Sequence, residues 1–173
     1  MQQAMFINIT INAGQIPSDH WIQDKNIGGG RLLGECCHFI DLARHIAGSK
    51  IIDSSIQFID TECRDTFTVT LKFDNSSIAT INYLSNGNKS KPKEFIQVYC
   101  QKHIFEIDNF KSLVIFTPNG KSKKIKLLSQ DKGHTKEIES FYNALQSNIF
   151  PINLDEIFEV TQTTIKLNEK LYS

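Results

Sequence analysis

Residues 28–48, GGGRLLGECCHFIDLARHIAG, constrain this chain more than any other stretch. Three glycines lead into a helical pattern that ends at another glycine, the residue that most readily takes the left-handed conformation past a helix C-terminus. At about 100° per residue the stretch separates into two faces. Leu32, Leu33, Cys36, Phe39, Ile40, Ala43, Ile46 and Ala47 make a broad apolar surface. Arg31, Glu35, His38 and His45 make a narrow opposite stripe, with Asp41 at its edge. Gly34 falls in that stripe, where it leaves space instead of a side chain. The pattern predicts a helix over roughly 31–47. One face packs, and the other presents acid, base and cation over a gap.

The apolar face needs a sheet to pack on, and the rest of the chain supplies strand patterns. Residues 6–13 alternate with period 2 and stop at Gly14. Residues 15–27 read as a loop that contains His20 and Trp21. Strands follow at 51–59, 66–73 and 78–83, the last two forming a hairpin over the turn residues 74–77. Further strands read at 94–100, 103–107, 113–116 and 124–128, with Pro118-Asn119-Gly120 as a turn. Two helices close the chain. Thr135 is the expected N-cap of the first, which carries Ile138, Phe141, Tyr142 and Leu145 at helical spacing. The second runs from about 155 to 171 and lines Ile157, Val160, Thr164, Leu167 and Leu171 on one face. The layout is α+β: one domain over 1–173, with an open-faced, mainly antiparallel sheet and helices packed on one face. Threonines alternate with apolar residues in 66–73, so the second face is not strongly polar. A partner subunit would cover it, which predicts a homo-oligomer.

Composition removes several classes of function. Nineteen basic and nineteen acidic residues cancel, so nothing calls for nucleic acid or an anionic membrane. No apolar run approaches the ~20 residues that span a bilayer, and residues 1–5 lack the basic and apolar regions of a leader. Cysteines at 36, 37, 63 and 100 include no C-x-x-C and read as reduced, cytoplasmic thiols. Neighbouring helical cysteines point about 100° apart, so Cys36, Cys37 and His38 are not read as a metal site. No G-x-G-x-x-G and no P-loop occur, so no cofactor-binding residue is assigned. Lys121, Lys123, Lys124 and Lys126 read as a charged strand edge that discourages aggregation.

Residues 28–41 resemble the glycine-rich segment and following helix in the C-terminal domain of the glucose–fructose oxidoreductase/inositol dehydrogenase/MocA (Gfo/Idh/MocA) family. The family helix carries Asp-x-x-x-His and a further acid. His38 falls on its histidine, Asp41 on the acid three residues later, and Gly34 on its aspartate, with Glu35 adjacent. Residues 12–35 are similar to the branch in which this module follows a zinc-type alcohol-dehydrogenase-like region, in proteins often found among surface-polysaccharide genes. Residues 65–67, 77–83, 93–94 and 133–138 fit the same template. The resemblance implies a dihydrodipicolinate-reductase-like C-terminal domain, without the family's Rossmann domain and its Glu-Lys-Pro lysine. It implies the substrate-binding and oligomerisation domain of an oxidoreductase acting on a sugar, sugar nucleotide or polyol. NAD or NADP would be bound by a domain not present here. The alternative is a non-catalytic sugar-nucleotide-binding or dimerisation module, with Gly34 marking lost redox chemistry.

Oxidising a secondary alcohol needs a base for the hydroxyl proton, and histidine titrates near working pH. His38 is the expected acid/base, with Glu35 and Asp41, each three residues away, as its supports. Arg31 and Lys93 would hold substrate hydroxyls or a phosphate, and His20 and Trp21 would stack on a sugar ring. The plainer alternatives are a His38 bonded between helix and sheet, solvated charges at Arg31 and Lys93, and a loop anchored by Trp21.

Overall fold

The computed structural model describes residues 3–173; Met1 and Gln2, part of the stretch read for a leader, lie outside them. Eight strands form one sheet: β1 (Phe6–Asn12), β2 (Ile51–Phe58), β3 (Phe67–Phe73), β4 (Ile78–Leu84), β5 (Glu94–Cys100), β6 (His103–Asp108), β7 (Ser112–Phe116) and β8 (Ser122–Lys126). Their spatial order is β2-β3-β4-β1-β5-β6-β7-β8. Only β1 and β4 are parallel, with Ile9 opposite Ile81; every other pair is antiparallel. The hairpin between β3 and β4 turns where expected, because Ser76 takes a positive φ of 67° and Asn75 Oδ1 accepts the Ser77 amide at 3.0 Å.

Alternation sorts each strand between two faces. Ile7, Ile9 and Ile11 of β1, Val69, Leu71 and Phe73 of β3, and Ala79, Ile81 and Tyr83 of β4 have no exposed surface. Helices α1 (Cys37–Ala47) and α3 (Leu154–Tyr172) cover this side and pack on each other. Val160, Thr164, Leu167 and Leu171 of α3 are buried as expected, whereas Ile157 stays 37% exposed. Asn153 caps α3 by accepting the Asp155 amide at 2.9 Å. Arg44, which the periodicity does not place in the core, is buried between α1 and α3. It pairs with Glu156 at 2.8 Å and Glu159 at 2.9 Å.

The opposite face carries no helix. It bears a ladder of side-chain hydrogen bonds across five strands, from Thr68 through Asn82, Asn8 and Gln97 to Glu106. Strand β8 is the far edge, fully exposed and lysine-rich, as an edge that resists pairing should be.

Two helix expectations change. The N-terminal helix is not one regular piece: Leu32–Cys36 form a π turn, and the α-helix proper starts at Cys37 and ends at Gly48, which takes the predicted left-handed conformation at φ 58°. Thr135 does not cap α2 (His134–Ser147). The helix begins two residues earlier than a Thr135 cap would start it, at His134 behind Gly133 at φ 84°, with no side-chain cap. No residue of α2 is buried, so its Ile138, Phe141, Tyr142 and Leu145 face outward. Among the described residues no helix is long and apolar enough to cross a membrane.

Candidate active site

The polar side of α1 forms one wall of a cleft of about 990 Å³. His38, Asp41 and His45 stand at positions i, i+3 and i+7 of the regular helix, so they share one line, and all three are exposed. Glu35, one turn earlier, sits at the foot of this wall, and Lys93, just before β5, lies beside it. The structure therefore brings together His38, Glu35, Asp41 and Lys93 from the expected residues.

Glu35 is not, however, a support for His38. Its carboxylate accepts from Arg31 Nε at 3.2 Å and from the Tyr83 hydroxyl at 2.8 Å, with Arg31 Nη2 at 3.0 Å and Lys93 Nζ at 3.5 Å. A carboxylate has about four acceptor directions, and these donors use them. Burial pushes the Glu35 carboxyl up. The Tyr83 hydrogen bond and the charges of Arg31 and Lys93 outweigh that and hold it below its ordinary value. Burial and the bond to Glu35 push the Tyr83 phenol up, so Tyr83 remains a donor. His38 instead has the Cys37 thiol 3.6 Å from Nδ1.

Arg31 is also corrected. It is 3% exposed, donates from Nη1 to the Gly14 carbonyl at 2.7 Å, and lies over the Tyr83 ring at 5.0 Å. Its fork is used inside the protein, so it is not free to hold a ligand. His20 and Trp21 do not line the cleft. His20 caps the short turn Trp21–Gln23 through Nδ1, and Trp21 is largely exposed beside it. Gly34 opens no gap: a Cβ there would lie 2.6 Å from Ile22 Cδ1, so the glycine makes room for Ile22.

The facing wall comes from residues to which the helix pattern does not point. Glu94 opens β5, Lys132 comes from the segment that leads into α2, and His134 and Lys136 come from the first turn of α2. Lys132 Nζ reaches Glu94 Oε1 at 2.7 Å and ties that segment to the sheet. The one signal for Glu94, His134 and Lys136 lies in the segments 93–94 and 133–138 that fit the family template; Lys132 falls outside both. The glycine triplet does not fit a dinucleotide phosphate, which needs free backbone N–H groups. The amides of Gly28 and Gly29 both donate to the Asp24 carbonyl at 2.9 Å, and that of Gly30 donates to the Ile22 carbonyl at 2.9 Å.

Comparison with known proteins agrees with this layout. Solved structures with the same fold include UDP-N-acetylglucosamine 3-dehydrogenase GnnA from Acidithiobacillus ferrooxidans. It is 16% identical with a TM-score of 0.75, over 95% of this chain and 52% of that one. The dehydrogenase MviM from Clostridium difficile is 17% identical with a TM-score of 0.74, over 97% and 54%. An aldose-aldose oxidoreductase from Caulobacter crescentus is 14% identical with a TM-score of 0.72, over 98% and 52%. The chain thus spans about half the length of these proteins. No curated protein matches the sequence. The model of the GFO/IDH/MocA C-terminal domain matches residues 4–106. The chain belongs to the GFO/IDH/MocA C-terminal domain family.

Proposed function

We propose that this chain is the substrate-binding and oligomerisation domain of an NAD(P)-dependent oxidoreductase that acts on a sugar, sugar nucleotide or polyol. One observation carries the reading: His38 and Asp41 stand exposed on one wall of a large cleft, with Lys93 beside that wall and Lys132 and His134 facing it. A hydroxylated substrate between these walls meets donors and acceptors on both sides. His38 is the group that exchanges the hydroxyl proton, since an imidazole changes charge near neutral pH. Asp41 is its remaining carboxylate neighbour on the helix, one turn away. The nicotinamide cofactor belongs to a second domain, because the glycine triplet here has no free amides for it. The outward apolar side of α2 supports an apposed domain of this kind.

The helix-free sheet face is the oligomerisation surface of this reading. Its hydrogen-bonded ladder is flanked by part-exposed Phe6, Ile78 and Tyr99. The four free thiols suit a cytoplasmic protein, and residues 12–35 suit the branch linked to an alcohol-dehydrogenase-like region and to polysaccharide genes. The commitment of Glu35 to Arg31 and Tyr83, together with Gly34 in place of an acid, favours a second reading: a sugar-nucleotide-binding or dimerisation module without redox chemistry.

NMR titration of the chain with UDP-N-acetylglucosamine tests the site. Amide shifts are expected at 35–45, 93–94 and 132–137. Shifts confined to other regions, or none, overturn the assignment.

A further inference from the structure

The opening of β5 holds an acceptor without a partner. Glu94 is 3% exposed and lines the same cleft as His38. Its Oε1 accepts from Lys132, while Oε2 is buried with no hydrogen-bond partner. An unpaired carboxylate oxygen in such a place is costly against a paired one. Buried polar atoms in folded proteins are otherwise almost always paired. No other described residue donates to it. Lys132, whose side chain is 36% exposed, directly precedes Gly133, which has a positive φ and open space around it.

We infer that Glu94 is a substrate-positioning residue whose Oε2 accepts a hydrogen bond from a hydroxyl of the ligand in this cleft. The inference rests on the reading of the cleft as a carbohydrate site and names the contact that sets the ligand's orientation there. The ligand class follows from the chemistry. A carboxylate only accepts, so it selects a group that donates, and its neighbour Lys132 already balances its charge. A polyhydroxylated molecule supplies such a donor while its other hydroxyls reach His38 and Asp41 across the cleft. A site built around a buried acceptor rejects an analogue that lacks the matching hydroxyl far more strongly than an apolar pocket would.

The test uses this chain with UDP-N-acetylglucosamine and myo-inositol as probes, compared in wild type, Glu94→Gln, Lys132→Met and Asp41→Asn. Glu94→Gln keeps the size and an oxygen for Lys132 but turns the second acceptor into a donor. It is expected to weaken binding of at least one probe roughly tenfold to a hundredfold, and more than Lys132→Met does, with little change in Tm. In the wild-type protein the side-chain carboxyl carbon resonance of Glu94 should move on titration with that probe, a readout that needs no variant to fold. If a probe binds, Asp41→Asn weakens it, and neither Glu94→Gln nor the Glu94 resonance responds, the Glu94 inference is overturned and the cleft reading stands. Equal losses of binding and of Tm in Glu94→Gln and Lys132→Met make Glu94 an anchor only, which also overturns it. If neither probe binds wild type, the cleft reading fails and this inference with it.

Discussion

Tyr83 donates its phenolic hydrogen to Glu35 Oε2 at 2.8 Å, joining a fully buried residue of β4 to the turn at the foot of the α1 wall. The bond ties the cleft to the core. It completes a cluster in which buried Arg31 gives Glu35 its charge partner and the Phe67 ring stacks on Tyr83 at 5.1 Å.

Removing members of this cluster should be costly in a definite order. Glu35→Ala leaves Arg31 buried without its counter-charge and is expected to cost about 3–5 kcal/mol. Tyr83→Phe removes one hydrogen bond to a charged group, about 1.5–3 kcal/mol. Urea denaturation of both variants checks the order. A Glu35→Ala variant as stable as wild type would remove the cluster from the account of the fold.

The lowered Glu35 pKa fixes the sign of one pH effect. The folded state holds this carboxyl below its ordinary value of 4.5, so the unfolded chain binds the proton more readily. The stability Glu35 contributes is fully present above 4.5 and is lost as pH falls through the lower folded value. The stability gap between wild type and Glu35→Gln should be largest near neutral pH and should close in acid. A gap that widens in acid would contradict the assignment.

Gly34 gives a prediction about packing. Gly34→Ala sets a methyl against Ile22, at the end of a side chain that can shift, and should cost about 1–3 kcal/mol. Shortening the partner by Ile22→Val in the same chain should cost less than the sum of the two single changes. Additive losses in thermal melts would show that the two side chains do not compete for one space.

The contrast between Gly34 and His38 shows where sequence reasoning reaches and where it stops. His38, Asp41 and His45 come to one wall because they lie within eight residues of a regular helix, where spacing alone sets direction. Glu35 sits on the π turn, and its other partners, Tyr83 and Lys93, are 48 and 58 residues away in the chain. No local period encodes such contacts, so the carboxylate looks like a partner of His38 and is instead tied to buried Arg31 and Tyr83. Strand alternation placed the sheet well for the same local reason: each residue's face follows from its own position. Amphipathic spacing in α2 is just as readable, but it shows that a face is apolar without showing what covers it.

That exposure has its own consequence. Phe141→Ser and Leu145→Ser remove apolar side chains that are 62% and 65% exposed, so each should change the chain's stability by no more than about 0.5 kcal/mol. Leu167→Ala in α3, at 0% exposure, should cost about 2–5 kcal/mol. Denaturation of the three variants checks this, and losses of similar size would mean that α2 packs on the domain after all.

The proposed role of His38 is that of acid/base in a carbohydrate oxidoreductase site. Its most direct test is turnover of NAD(P) with a hydroxylated substrate by a polypeptide that joins this chain to a dinucleotide-binding domain, with and without His38→Ala. The expected result is a loss of about 10²–10⁴-fold in kcat with an unchanged Tm. Equal turnover by the two proteins would contradict it.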